Sequence, residues 1–113
     1  MSPCLFCQIA AGERPATIVH RGDGVIAFRD INPQAPTHIL IIPTKHIVSV
    51  ADMTVEDEGL IGRMMAAAKA IAQQEHLSQG YRLVINNGVQ AGQSVFHLHI
   101  HLLGGRAMHW PPG

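Results

Sequence analysis

The segment His97-Leu98-His99-Ile100-His101-Leu102-Leu103 constrains the fold of this chain more than any other. Polar and apolar residues alternate along it, and side chains at i, i+2 and i+4 of a strand project from one face. The spacing predicts a half-buried β-strand, with His97, His99 and His101 on one face and Leu98, Ile100 and Leu102 in the core. Histidine is a poor choice for a face that need only be wet, so three in register point to chemistry.

The elements around that strand follow from local signals. Cys4 to Ala11 can form a short helix stopped by Gly12. Ala16–His20 and Val25–Arg29 are short β-type runs, and Arg21-Gly22-Asp23-Gly24 between them suits a hairpin turn. Two prolines hold the loop Asp30 to Pro36 open, and His38–Ile42, ended by Pro43, reads as a central strand. Thr54 followed by Glu56 and Asp57 is an N-cap with acidic residues in the first turn, opening a helix that runs to about His76, roughly 30 Å. Leu60, Met64, Ala67 and Ile71 form one apolar stripe on it, and Ile61, Met65, Ala68 and Ala72 form a second. A helix apolar over more than half its circumference needs two apolar surroundings, which favours its own sheet plus a second subunit. Tyr81–Asn86 returns to strand character, and a polar, glycine-containing loop over 86–94 leads into the histidine strand. Short strands in hairpins with one long helix predict an α+β domain built on an antiparallel sheet of about five strands.

Composition sets the outer bounds. At 113 residues, one domain over 1–113 is expected, with enough chain for a real core. Lys+Arg and Asp+Glu both number 8, which gives no electrostatic case for a nucleic-acid or acidic-membrane partner. No apolar run approaches the roughly 18 residues of a membrane span. No basic segment leads into a hydrophobic one near Met1, so a cytoplasmic location is the expectation. Charged residues are only 14% of the chain, against roughly 25% in an ordinary soluble domain. That scarcity again favours surface hidden in a partner.

Two chemistries compete for the histidine strand. A His-x-His pair on one face can converge on a metal ion at roughly 2 Å. His97 and His101 stand roughly 13 Å apart along an extended backbone, so only neighbouring histidines could share a metal. The alternative is nucleophilic catalysis. An imidazole with unperturbed pKa near 6.5 is largely neutral at pH 7, and it attacks phosphorus if one nitrogen is bare and the other is held protonated by an acceptor. Backbone N–H groups and the hydroxyl of Gly92-Gln93-Ser94 suit the phosphate oxygens.

The same residues match the signature of the histidine-triad (HIT) family, in which three histidines alternate with apolar residues. Phe28 to His38, Gly92-Gln93-Ser94 and the tail Gly104-Gly105-Arg106 to His109-Trp110-Pro111-Pro112-Gly113 resemble the Hint branch, so the likeness covers nearly the whole chain. The resemblance implies a HIT-like fold and a homodimer that binds purine nucleotides and hydrolyses nucleoside phosphoramidates such as AMP joined to an amine. It implies His99 as the nucleophile forming a covalent nucleotidyl intermediate, and His101 as a phosphate ligand. His38 and His97 would complete a histidine network, and Ser94 would stand near the leaving group. Asp30 would hold the ribose hydroxyls, Phe28 and Ile31 would line the base pocket, and Asn86, Gly92 and Gln93 would contact phosphate and ribose. No metal is required for that catalysis, because imidazoles and N–H donors meet the negative charge.

Cys4-x-x-Cys7 departs from the commonest Hint pattern. Two cysteines are too few for a disulfide framework, and a redox pair belongs where a strand feeds a helix in a βαβ unit, which is not seen here. Zinc is the better reading if two more ligands exist. Bacterial-type HIT proteins bind zinc with such a pair, and the resemblance assigns His46 and His97 as the remaining ligands. Four ligands with no open position make a structural site. In that case His97 is structural, and its carbonyl is left to orient His99. Other readings of the chain are a zinc-stabilised nucleotide-binding module with incidental catalysis, or a dinucleoside polyphosphate hydrolase or nucleotidyl transferase of the same superfamily. His20, His76 and His109 carry no motif and read as surface or capping residues; Met53, Met64 and Met65 read as packing.

Overall fold

A computed structural model describes residues 2–113. Five strands form one antiparallel sheet: β1 (Ile18–Gly22), β2 (Val25–Arg29), β3 (Thr37–Pro43), β4 (Tyr81–Val84) and β5 (Ile100–Gly104), in the order β1-β2-β3-β5-β4. A short helix α1 (Leu5–Ala10) precedes the sheet, and a long helix α2 (Glu58–Gln74) crosses one face of it. The α+β architecture agrees with the reading of the sequence.

Local chemistry explains the turns. β1 and β2 are joined by Asp23 and Gly24, both left-handed at φ 56° and 78°. Two such residues in a row are what a two-residue hairpin needs, and Asp-Gly supplies them at low cost. Thr54 and Asp57 form a capping box around a single 3₁₀ turn, from which α2 continues. The helix stops at Gln74 rather than His76. Leu77 N–H bonds to Ala72 O and His76 N–H to Gln73 O, with His76 left-handed at φ 60°, the pattern of a Schellman motif.

β3 is buried along its full length because both of its faces are covered. Ile39 and Ile41 pack with Met64, Ala68 and Ile71 of α2, whereas Leu40 and Ile42 pack with Phe6 and Ile9 of α1 and with Ile26 and Phe28. Leu98, Ile100 and Leu102 all enter the α2-side core, as their alternation predicts. The strand itself begins later than expected. Its ladder opens with the pair Ile41 and Ile100, and before that the Leu98 N–H donates to Ile47 O instead. His97 and His99 therefore precede β5, and only His101 lies within it. The two stripes on α2 also separate differently. Ala68 and Ala72 join Leu60, Met64, Ala67 and Ile71 in the core, while Met65 is 45% exposed beside the exposed Gly62 and Ala66. No helix among the described residues is long and apolar enough to cross a membrane.

Candidate functional site

Two clusters of titratable side chains flank the segment 97–101 on the face opposite α2. The first joins three parts of the chain. Cys4 caps α1, its sulfur accepting the Cys7 N–H at 3.4 Å, so both thiols face one point at the start of the helix. His46 comes from the loop after β3, and His97 from the segment before β5. His97 Nδ1 is 3.4 Å from Cys4 Sγ, 3.5 Å from Cys7 Sγ and 3.2 Å from His46 Nδ1, and Cys7 Sγ is 3.3 Å from His46 Nδ1. The other His97 nitrogen faces Pro43 O at 2.8 Å. That carbonyl can only accept, so Nε2 carries the proton and Nδ1 offers a lone pair to the centre of the four donors.

These separations test the fit of a metal ion. Zinc–sulfur bonds near 2.3 Å and zinc–nitrogen bonds near 2.05 Å, arranged tetrahedrally, require S···N edges of about 3.6 Å and N···N edges of about 3.3 Å. The observed 3.3–3.5 Å and 3.2 Å lie close to both. The buried His97 ring is oriented by a carbonyl behind it, as zinc-ligating histidines commonly are. The residues fit zinc.

The second cluster holds Asp30, His38, His99 and His101. Gln34 N–H donates to His38 Nδ1 at 3.1 Å, which places the His38 proton on Nε2. Nε2–H then donates to His101 Nδ1 at 2.9 Å, with Asp30 Oδ2 a further 3.4 Å contact. His101 in turn carries its proton on Nε2. His99 is set the other way, its Nδ1–H donating to the His97 carbonyl at 2.7 Å and leaving Nε2 bare. The His99 and His101 rings approach to 4.9 Å between centroids. One backbone donor and one backbone acceptor thus prescribe a bare nitrogen beside an N–H donor. Asp30, His38 and His101 also bring three potential ligand atoms within 4.8 Å of one another. A metal on His38 Nε2 would need the proton on Nδ1, against the Gln34 N–H, so this set is built for protons rather than for a metal.

Burial sets the charge state. It pushes His38, His97, His99 and His101 below the ordinary 6.5 for an imidazole. His101 falls furthest, to about 4, from burial first and then from the neighbouring His99 and His38, with Asp30 opposing. All four rings are neutral at pH 7. Burial and the adjacent Cys4 raise the Cys7 thiol.

The remaining residues expected at the site lie around this cluster in different states. Ile31 is fully exposed beside Asp30, whose Oδ1 accepts the Asn32 N–H at 2.8 Å. Phe28 is 4% exposed and packs edge-on to Phe6, so it forms the floor rather than a free wall. Gln93 is buried, its amide donating to Val48 O and Val95 O and its Oε1 accepting the Gly88 N–H. That side chain is committed to shaping the loop. Gly92 is left-handed at φ 95° with the Asn86 amide beside it, and Ser94 is exposed. The ring of His97 faces the cysteines, not the histidine network, which receives only its carbonyl. Three contributors had no legible signal: the Gln34 N–H, the Pro43 carbonyl, and Phe6, whose ring stands edge-on to His99 at 5.1 Å. The first two are backbone groups. Phe6 could have been flagged only by its place between the two cysteines.

Comparison with known proteins is consistent across the chain. A family model described as the HIT domain matches residues 11–108. A 14 kDa zinc-binding protein of Zea mays is 50% identical over 114 residues, covering 99% of this chain and 89% of its own. Adenylylsulfatase HINT1 of Arabidopsis thaliana is 46% identical over 114 residues, covering 99% and 78%. The crystal structure of a HIT family hydrolase from Legionella pneumophila superposes with a TM-score of 0.95 at 55% identity, covering 97% of this chain and 99% of that one.

Proposed function

The chain belongs to the HIT family, and from that premise we propose that it hydrolyses purine nucleoside phosphoramidates through a nucleotide carried on His99. The observation that carries this reading is the hydrogen bond from His99 Nδ1–H to the His97 carbonyl, 2.7 Å long, which leaves Nε2 bare on a neutral ring. The whole chain, 1–113, acts as a single HIT domain. Relatives named as a hydrolase and an adenylylsulfatase support chemistry on nucleotides.

In the first displacement His99 Nε2 attacks phosphorus, the P–N bond breaks and its electron pair leaves on the amine, which takes a proton relayed from solvent by the exposed Ser94 hydroxyl. The phosphoimidazolium keeps its Nδ1–H on the His97 carbonyl, which meets the positive charge. His101 donates its Nε2–H to a non-bridging phosphate oxygen, and the loop N–H groups at Gly92 to Ser94 meet the others. In the second displacement water attacks the same phosphorus and gives up a proton to solvent through Ser94, the P–N bond to His99 breaks, and AMP leaves with the ring neutral again. Two displacements replace one hard hydrolysis by two easier steps. Asp30 accepts from the ribose diol, Ile31 and Phe28 hold the base, and Asn86 and Gln93 shape the rim. Cys4, Cys7, His46 and His97 would hold a structural zinc, and those four side chains would then tie the α1 start to the segment before β5.

A second copy covers the outer face of α2, where Met65 is 45% exposed beside Gly62 and Ala66, together with the free edge of β4 at Tyr81. The enzyme works in the cytoplasm as that homodimer. The adenylylsulfatase relative favours a second reading in which the leaving group is sulfate, because the histidine geometry addresses phosphorus and not the group that departs. Steady-state kinetics of an AMP-amine phosphoramidate and adenylyl sulfate separate the two by kcat/KM. His99→Ala abolishes turnover of the preferred substrate while light scattering still reports a dimer; a fully active His99→Ala protein refutes the mechanism.

A further inference from the structure

His99 stands outside the sheet ladder. Pairing of β5 starts at Ile100, so the hydrogen bonds that make a strand rigid do not reach the residue with the bare nitrogen. Its position rests on the two residues before it. Leu98 is anchored by its buried side chain and by its N–H on Ile47 O. The His97 ring is anchored between Pro43 O on one side and the Cys4, Cys7 and His46 donors on the other, and its carbonyl lies in the same planar peptide as the Leu98 N–H. The loop 43–47 thus grips 97–98 at three points: the Pro43 carbonyl, the His46 ring and the Ile47 carbonyl. One residue, His97, faces the sulfur cluster with its ring and His99 with its carbonyl.

We infer that His97 is a positioning residue through which zinc at Cys4, Cys7, His46 and His97 fixes the tautomer and orientation of His99. This goes beyond a structural zinc and rests on His99 as the nucleophile. With zinc bound, the His97 ring would be held at both nitrogens, Nε2 on Pro43 O and Nδ1 by the metal, and its carbonyl would stay aimed at His99 Nδ1. Without it, the thiol and imidazole contacts of 3.2–3.5 Å are weak hydrogen bonds at most, and the ring is free to turn on Pro43 O. With the His46 ring released as well, the adjacent Ile47 O no longer fixes the planar 97–98 peptide, the His97 carbonyl shifts with that peptide, His99 loses its single tautomer, and Nε2 is bare only part of the time. The pin lies outside the nucleotide contacts, so the change falls on kcat and leaves nucleotide affinity alone.

The test compares the zinc-loaded full chain with the same protein stripped by a chelator under reducing conditions and then reloaded. Two readouts are taken: the ¹⁵N imidazole spectrum of His99, and the rate of nucleotidyl transfer to His99 in a single turnover of an AMP-amine phosphoramidate. Zinc-loaded protein should show one His99 tautomer protonated on Nδ1. The stripped, folded protein should show an Nε2-protonated population, a transfer rate lower by about 10- to 100-fold and AMP affinity within about twofold, all reversed by added zinc. An unchanged tautomer and rate in the stripped, folded protein overturns the inference. Should stripping abolish the far-UV circular dichroism, His46→Cys and His46→Ala carry the test. The first keeps four donors and should keep the Nδ1–H tautomer; the second should lose it, and identical His99 spectra in the two overturn the inference. The spectrum decides the coupling without any turnover, so a zinc-dependent tautomer in a protein that cleaves no phosphoramidate supports the coupling and refutes the functional reading.

Discussion

The neutrality of His101 has a cost in stability that can be measured. Its ring is pushed from the ordinary 6.5 to about 4 by burial and by the rings of His99 and His38, with Asp30 opposing. An unfolded chain protonates the same residue near 6.5, so below that pH the unfolded state binds a proton that the folded state refuses. Stability on this account is full above pH 6.5, falls as pH drops from about 6.5 to about 4, and levels off below. At ~1.4 kcal/mol per tenfold change in proton activity, the loss between pH 7 and pH 4.5 is about 2 kcal/mol. His101→Gln removes the titration while keeping an acceptor for the His38 Nε2–H. Urea unfolding of both proteins at the two pH values reads the effect, because groups remote from the His38–His99–His101 cluster cancel in the difference. Wild type should lose about 2 kcal/mol more than His101→Gln between pH 7 and pH 4.5. Parallel losses, or a His101 imidazole titrating at 6.5 or above by NMR, would refute the reasoning.

Three further outcomes follow from the framework. His76 is exposed and left-handed at φ 60°, so His76→Gly relieves a side-chain penalty and should raise stability by about 1 kcal/mol, visible as a higher Tm. Ile41 is fully buried between the sheet and α2, and Ile41→Ala should cost about 2–5 kcal/mol in denaturant unfolding. Glu75 is held below its ordinary 4.5 first by hydrogen bonds from Arg29, at 2.8 and 3.0 Å. Its contribution is present above pH 4.5 and disappears as pH falls through the depressed value. Glu75→Gln should therefore cost less than about 1 kcal/mol at pH 7 and nothing in strong acid, by the same unfolding assay.

The sequence made some of this legible because certain residues permit only one local outcome. Asp23-Gly24 between two β-type runs allows little but a tight hairpin, and Leu98, Ile100 and Leu102 could share a face only in extended chain. The Cys4–Cys7 spacing suggests a metal site, His46 and His97 enter only through the likeness to zinc-binding HIT proteins, and the structure brings those four together. Periodicity overreached at His97 and His99, where alternation continues although the ladder has ended. It cannot tell a strand from an extended segment held by a ring and a carbonyl. It also split α2 incorrectly, since Ala68 and Ala72 are small enough to sit against the sheet while Met65 turns outward. The His99 tautomer is expected through the His97 carbonyl, but those of His38 and His97 could not be read, because the Gln34 N–H and the Pro43 carbonyl belong to the backbone, which every residue carries. Gln93 shows the opposite limit: its residue type suits a ligand contact, yet its amide is spent on Val48, Val95 and Gly88.

In the proposed mechanism His99 Nε2 is the atom that takes the nucleotide. The most direct test is to mix the zinc-loaded protein with an AMP-amine phosphoramidate, quench on the millisecond scale, and locate added mass by intact and peptide mass spectrometry. An AMP adduct should form on His99 and decay at rates consistent with kcat, and should be missing from His99→Ala. An adduct on another residue, or full turnover by His99→Ala, would contradict that mechanism.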